Sequence, residues 1–353
     1  MGGSDGVVDL RSDTVTRPTA EMYAAMGSCG LGDDVMGDDE TVLELEAVGA
    51  EMLGKEAAMF VPSGTMSNLI AAMEHSRGVF SPEVILGDLQ HMYRYEGGNL
   101  ARVGNVHAWV LPNEADGTLD IDAIKEAVRD DDVHYPKTTM VVLENTHNSC
   151  GGVPLPSDYV DRVGTFTKST GLKLHIDGAR IFNAATALDV PASRLCKAAD
   201  SVSVCLSKGL GSPVGSLLIG DKEFIHGARY IRKALGGGMR QAGILAACGL
   251  VSLRTMTKRL GEDHANAKQL ANGLADIPGI ALDPDSVKSN IVFFDVESGR
   301  ADPLIEKLKQ EHNVLLGAYG TKLVRAVLHN DVPRQSISGV IDSVKRALAE
   351  VNK

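Results

Sequence analysis

Lys208 stands in SVSVCLSKGLGSPVGS, residues 201–216, where Val202, Val204 and Leu206 alternate with small or polar residues like a strand and Gly209, Gly211 and Gly215 follow. A lysine after a strand usually snorkels to the surface, but close glycine packing favours burial. A buried lysine gives up its proton more readily, which is what an imine-forming amine requires. Three other polar groups stand where apolar runs end. In VPSGTMSN, Ser63, Gly64 and Thr65 precede a helical pattern, whose first N–H groups either cup a phosphate or form an ordinary N-cap turn. In LHIDGAR, Asp177 closes a strand-like run and Arg180 follows, as an ion pair, a helix cap or a ligand contact. In LGGGMRQAG, Gly236 to Gly238 precede Arg240; such a run lets the backbone approach a ligand or a neighbouring subunit, or is simply a flexible loop.

Each signal alone has an ordinary structural reading. Together they describe one cofactor: a phosphate cup, a carboxylate for a pyridinium nitrogen and an amine for a Schiff base are the three parts of a pyridoxal 5'-phosphate site. Motifs for other groups are missing. GLGSPVGS lacks the G-x-G-x-x-G spacing, no G-x-x-x-x-G-K-[ST] occurs, and the ten histidines are dispersed with no H-E-x-x-H, so no metal ligand set is expected.

The elements that must position these groups read as alternating helices and strands. PEVILGD, TTMVVLENTH, GLKLHIDGAR and ADSVSVCLSKG are short apolar runs ending in polar or glycine-rich residues, with helical patterns such as LDIDAIKEAVRD and SDYVDRVGTFTKST between them. That order predicts an α/β sheet covered on both faces, over residues 1–260. From 261 to 353 a long amphipathic stretch, EDHANAKQLANGLADI, leads through SNIVFFDVE to SISGVIDSVKRALAEV, which predicts a smaller C-terminal α+β domain.

Composition limits the partners. With 353 residues, 44% hydrophobic and 23% charged, the chain can bury a sizeable core. A net charge of -11 argues against nucleic acid or an anionic membrane as the main partner, so any bound anion needs a local site. Five scattered cysteines without a C-x-x-C pair read as reduced thiols of a cytoplasmic protein. No basic-then-apolar leader and no apolar run of membrane-spanning length occurs.

Longer strings carry a resemblance. DLRSDTVTRPT, GDDVMGDDETV, GKEAAMFVPSGTMSN, LENTHN, LHIDGARIFNA, CLSKGLGSPVGS and GGGMRQ, together with a weaker match near Arg325, resemble the L-threonine aldolases, pyridoxal-phosphate lyases of the aspartate-aminotransferase fold (fold type I). The resemblance implies a Schiff base on Lys208, Asp177 at the pyridine nitrogen, and a phosphate held by Ser63, Gly64 and Thr65 with Lys233 and Arg240 of an adjacent subunit. It also implies a His91 imidazole stacked on the cofactor ring, and Ser12, Arg180 and Arg325 around the substrate carboxylate. His134, in DDDVHYPK, matches a histidine linked with the substrate hydroxyl, and is nearly as readily an exposed loop residue. One position departs from the family: Met36 stands where a tyrosine is common. A dimer of dimers with shared sites is the implied assembly.

The activity implied is reversible cleavage of threonine, allo-threonine and other β-hydroxy-α-amino acids to glycine and an aldehyde, with His91, His134 or a water between them as base. An aminotransferase or β-eliminating lyase on the same fold is the alternative reading, and a noncatalytic binding protein a more distant one.

Overall fold

A computed structural model describes residues 6–351 of the chain. Seven strands form its central sheet, in the spatial order Ala57–Val61, Ser216–Gly220, Ser201–Cys205, Lys173–Asp177, Lys137–Glu144, Pro82–Gly87 and His107–Leu111. All run in one direction except Ser216–Gly220, which is antiparallel to both of its neighbours. Met140 to Leu143 are buried in succession, as a strand covered on both faces requires. Alternation then sorts the helices: Met59 and Val61 pack with helices Gly64–His75 and Lys222–Ala234, whereas Ala58 and Phe60 join the core that includes helices Glu40–Leu53 and Gly243–Arg254.

Two strands, Ser216–Gly220 and His107–Leu111, were not among those read from the sequence. Neither alternates: Ser216–Gly220 is buried along its whole length and His107–Leu111 is nowhere fully buried, so no period of two marks them.

A four-stranded antiparallel sheet, in the order Gly317–Ala318, Leu323–Val327, Ile291–Val296 and Ile280–Ala281, builds a second core with helices Leu260–Ala275, Asp302–His312 and Ser336–Val351. Helix Leu260–Ala275 serves both cores, with Leu260 in the larger and Ala267, Leu270 and Leu274 in the smaller. The N-terminal strand Val8–Asp9 pairs in parallel with Val314–Leu315, and Leu10 is fully buried in the second core. This anchor fixes where the following residues, Ser12 and Asp13, enter the space between the two cores. All five cysteines are free, and no helix of the described residues is long and apolar enough to cross a membrane.

Candidate active site

Parallel strands end on one edge of a sheet, where open α/β folds gather ligands. Glu144 and Asp177 are register partners at that edge, and Ser216, which opens the antiparallel strand, pairs there with both Cys205 and Val61. The chain segments leaving this edge carry Ser63 after Val61, His91 after Gly87 and Lys208 after Cys205.

Ser63 caps helix Gly64–His75, its Oγ accepting the Met66 N–H at 3.2 Å. The first N–H groups of a helix have no intrahelical acceptor, so those of Gly64 and Thr65 are left for an anion. A Cβ on Gly64 would lie 2.8 Å from Cys205 Sγ, so the bare backbone is what lets the helix start sit against the sheet edge. Asp177 is 4% exposed, and its carboxylate accepts from the Asn68 amide at 3.0 Å and from the Ala179 N–H at 3.2 Å. Lys208 is half-buried, and among the described residues its ammonium has no hydrogen-bond or ion-pair partner, although its charge acts on both Asp13 and His91. An unpaired amine, a buried carboxylate and a bare helix start at one edge fit pyridoxal phosphate.

His91 is held on two sides. Its ring Nδ1 lies 2.9 Å from Glu96 Oε1, and its N–H donates to Glu144 Oε2 at 2.6 Å. Burial alone would lower the imidazole pKa, but the Glu96 hydrogen bond and the charges of Asp177 and Glu96 outweigh burial and Lys208, raising it above the ordinary 6.5. Burial, with the charge of Asp177, in turn raises the Glu96 carboxyl above 4.5 against its hydrogen bonds from His91 and Asn68.

The arginines form the other half. Arg180 is clamped by Asp13, with Nε to Oδ2 at 2.8 Å and Nη2 to Oδ1 at 2.6 Å, and both side chains are nearly inaccessible. Burial would raise the Asp13 pKa, yet the Arg180 charge and hydrogen bonds hold it far below 3.8. Arg325 donates to Asn148 Oδ1 at 2.9 Å and to the Arg11 carbonyl at 3.1 Å, and pairs with no carboxylate among the described residues. Burial and the neighbouring Arg180 push its pKa down from 12.5, the condition of a cation short of an anion. Ser12 opens the short turn that presents Asp13, its Oγ accepting the Thr14 N–H at 3.2 Å. Glu144 joins the halves, because its second oxygen accepts the Asn148 N–H at 2.9 Å.

His134 does not join this site within its own chain, which corrects the expectation of a direct part in catalysis there. It lies in the turn before Lys137–Glu144, and eight residues of strand put roughly 25 Å between that end of the sheet and Glu144. Its imidazole is 81% exposed and bonded to Asp132 at 2.6 Å, so the local acidic run holds it in the loop.

Lys233 and Arg240 are also apart from Lys208 and Asp177. Arg240 pairs with Asp33 at 3.0 Å, and Lys233 lines a cleft of about 280 Å³ with Asp34, Arg232 and the exposed Met36. Their glycine loop nevertheless borders the helix start, since a Cβ on Gly237 would collide with Met66.

The beta-eliminating lyase family matches residues 9–297. A probable low-specificity L-threonine aldolase 2 of Arabidopsis thaliana is 48% identical over 345 residues, covering 96% of each chain. The chain belongs to the L-threonine aldolase family. A low specificity L-threonine aldolase of Escherichia coli strain K12 is 43% identical over 335 residues, 95% of this chain and 97% of that one. A putative L-allo-threonine aldolase of Listeria monocytogenes superposes with a TM-score of 0.82 over 97% of both chains at 22% identity, so the two share the type I fold expected from the sequence.

Five site residues of this family member escaped the sequence reading: Asp13, Asn68, Glu96, Glu144 and Asn148. Four of them sit inside strings that carried the resemblance, and Glu96 follows His91 by five positions. As lone polar residues they gave no chemical signal, because each acts on a group of another residue: Glu144 on the backbone N–H groups of His91 and Asn148, the other four on side chains.

Proposed function

We propose that the chain cleaves β-hydroxy-α-amino acids, L-threonine and L-allo-threonine among them, to glycine and an aldehyde with pyridoxal 5'-phosphate. The observation that carries this reading is that, among the described residues, Lys208 and Arg325 have no carboxylate partner, the charges of both act on Asp13, and that of Lys208 also reaches His91, which is bound to Glu96 and acted on by the buried Asp177. Pyridoxal phosphate, when bound, supplies a carbonyl that condenses with amines and a pyridinium ring that accepts electrons.

The residues divide the remaining work. Ser63, Gly64 and Thr65 hold the phosphate, Lys208 holds the cofactor covalently, and Asp177 keeps the ring nitrogen protonated. Arg325 and Arg180, with Ser12 beside them, bind the substrate carboxylate. A bidentate guanidinium sets direction as well as charge, so this clamp would fix the orientation of the substrate's Cα bonds once the cofactor is bound. His91 takes the β-hydroxyl proton and stacks on the ring. Lys233 and Arg240 complete the phosphate site of a neighbouring subunit in a dimer of dimers, with residues 1–260 as the cofactor domain and 261–353 as the smaller one. The free thiols and acidic surface suit the cytoplasm.

The test is the product. Purified protein with pyridoxal phosphate and L-threonine is expected to release acetaldehyde and glycine in equal amounts. Keto-acid formation, or ammonia release without glycine, would transfer the reading to an aminotransferase or an eliminating lyase.

A pH profile examines the base. A general base must be neutral, so the acid limb of kcat/KM should report the raised His91 pKa. Glu96→Gln removes a charge that stabilises imidazolium, so the pKa falls and the limb moves to lower pH. A limb that stays in place between pH 5 and 8 would show that Glu96 does not tune the base.

A further inference from the structure

A buried hydrogen-bond chain runs away from the site behind Asp177. Asn68 and His75 lie two turns apart on one face of helix Gly64–His75. His175 and Asp177 are alternate residues of one strand, and Ser201 is the register partner of His175 on the next. Contacts follow at every step: His75 Nε2 to Ser201 Oγ at 2.7 Å, Ser201 Oγ to His175 Nδ1 at 2.8 Å, and His175 Nε2 to Asn68 Oδ1 at 3.1 Å. Asn68 Nδ2 then reaches Asp177 Oδ2 at 3.0 Å and Glu96 Oε1 at 2.9 Å. Asn68, His175 and Ser201 are all within 1% of full burial.

Elimination assigns the direction of every bond. Two carboxylates face the Asn68 nitrogen, so that atom is the amide donor and Oδ1 is left to accept. His175 Nε2 must therefore carry a hydrogen. Burial holds this imidazole neutral, with a pKa lowered to about 4, so its Nδ1 is bare and accepts the Ser201 hydroxyl. Ser201 Oγ then accepts from His75 Nε2–H. The chain donates one way, from His75 towards the two carboxylates.

We propose that Asn68 and His175 are positioning residues for the electron sink: Ser201 holds His175 in one tautomer, His175 locks the Asn68 amide, and the amide aims the Asp177 carboxylate while tying it to the Glu96–His91 pair. The proposal rests on Asp177 being the partner of the cofactor's ring nitrogen. Without the His175 donor the buried Asn68 oxygen is left without a partner, and the amide is held only through its nitrogen. The Asn68 donor would then aim the Asp177 carboxylate less firmly, leaving the Ala179 N–H at 3.2 Å as its remaining fixed donor.

His175→Leu, His175→Gln and Ser201→Ala on the otherwise intact protein provide the test. Titration with pyridoxal 5'-phosphate gives affinity and the absorbance of the bound cofactor, and steady-state assays give kcat and KM separately. His175→Leu should weaken cofactor binding by about ten- to a hundredfold, the range that outer hydrogen-bond partners of a site command, with an altered absorbance band. Its kcat should fall while KM for L-threonine is kept, because the arginine clamp is untouched. His175→Gln keeps an N–H near the Nε2 position and should recover most of the affinity, and Ser201→Ala should fall between. A folded His175→Leu with wild-type affinity and absorbance would overturn the proposal. Should His175→Leu not fold, Ser201→Ala with wild-type affinity and absorbance would overturn it equally. If the unaltered protein took up no pyridoxal phosphate, the reading of the site would fail first and this inference with it.

Discussion

Lys208→Ala is expected to fold as the unaltered protein does and to lose cleavage activity by at least about three orders of magnitude, the scale on which removal of a covalent catalyst is felt. Folding should survive because only the Lys208 backbone has structural partners: its carbonyl accepts the Thr16 hydroxyl at 3.1 Å and the Gly211 N–H at 2.8 Å, and alanine keeps both. The ammonium has no partner to lose. Lys208→Arg separates charge from chemistry, since a guanidinium keeps the positive charge near Asp13 and His91 yet is no nucleophile at neutral pH. Both variants should therefore be inactive, and borohydride should fix the cofactor on Lys208 in the unaltered protein alone. Substantial activity in Lys208→Arg would remove the lysine from its covalent role.

Asp13→Asn should cost about 3–5 kcal/mol of stability, the usual consequence of leaving one member of a buried ion pair alone. The change is nearly isosteric, but its amide N–H group would face the Arg180 donors, and a guanidinium 7% exposed would lose its ion-pair partner. The pH dependence follows from the direction of the shift. The folded-state pKa lies below the ordinary 3.8, so the contribution of Asp13 is complete above about pH 4 and is lost as pH falls through the folded value. The gap between the urea midpoints of the two proteins should thus be full at pH 7 and shrink in acid. Replacing both partners, Asp13→Leu with Arg180→Met, should recover much of the stability, because well-packed apolar pairs match buried ion pairs. It should not recover activity, since the pair serves to hold Arg180 beside Arg325. Equal midpoints at pH 7 for Asp13→Asn and the unaltered protein would refute the account.

Five of the seven central strands and the fold class were legible in the primary structure. The candidate groups are marked locally, by a lysine among glycines after a strand and a serine–glycine–threonine start to a helix, although each signal alone has an ordinary structural reading. The alternation of SVSVC and the apolar run of MVVL followed from the same short-range rules of burial and side-chain direction. Even so, Ser216–Gly220 is not legible, because its apolar run is only Leu217 to Ile219 and does not alternate.

By itself, then, the sequence determined the fold class and the family, and offered candidates for the residues of the site. Only the tertiary structure decided which of them share a site within one chain. It set His134 at the far end of the sheet, closed Asp13 on Arg180 across 167 residues and brought Asn68 to Asp177 across 109. The reason is physical: a supporting residue is defined by the group it orients, and that group lies on a different element. Its identity as Asp, Asn or Glu is unremarkable until folding desolvates it beside a partner, where an unmade bond becomes costly.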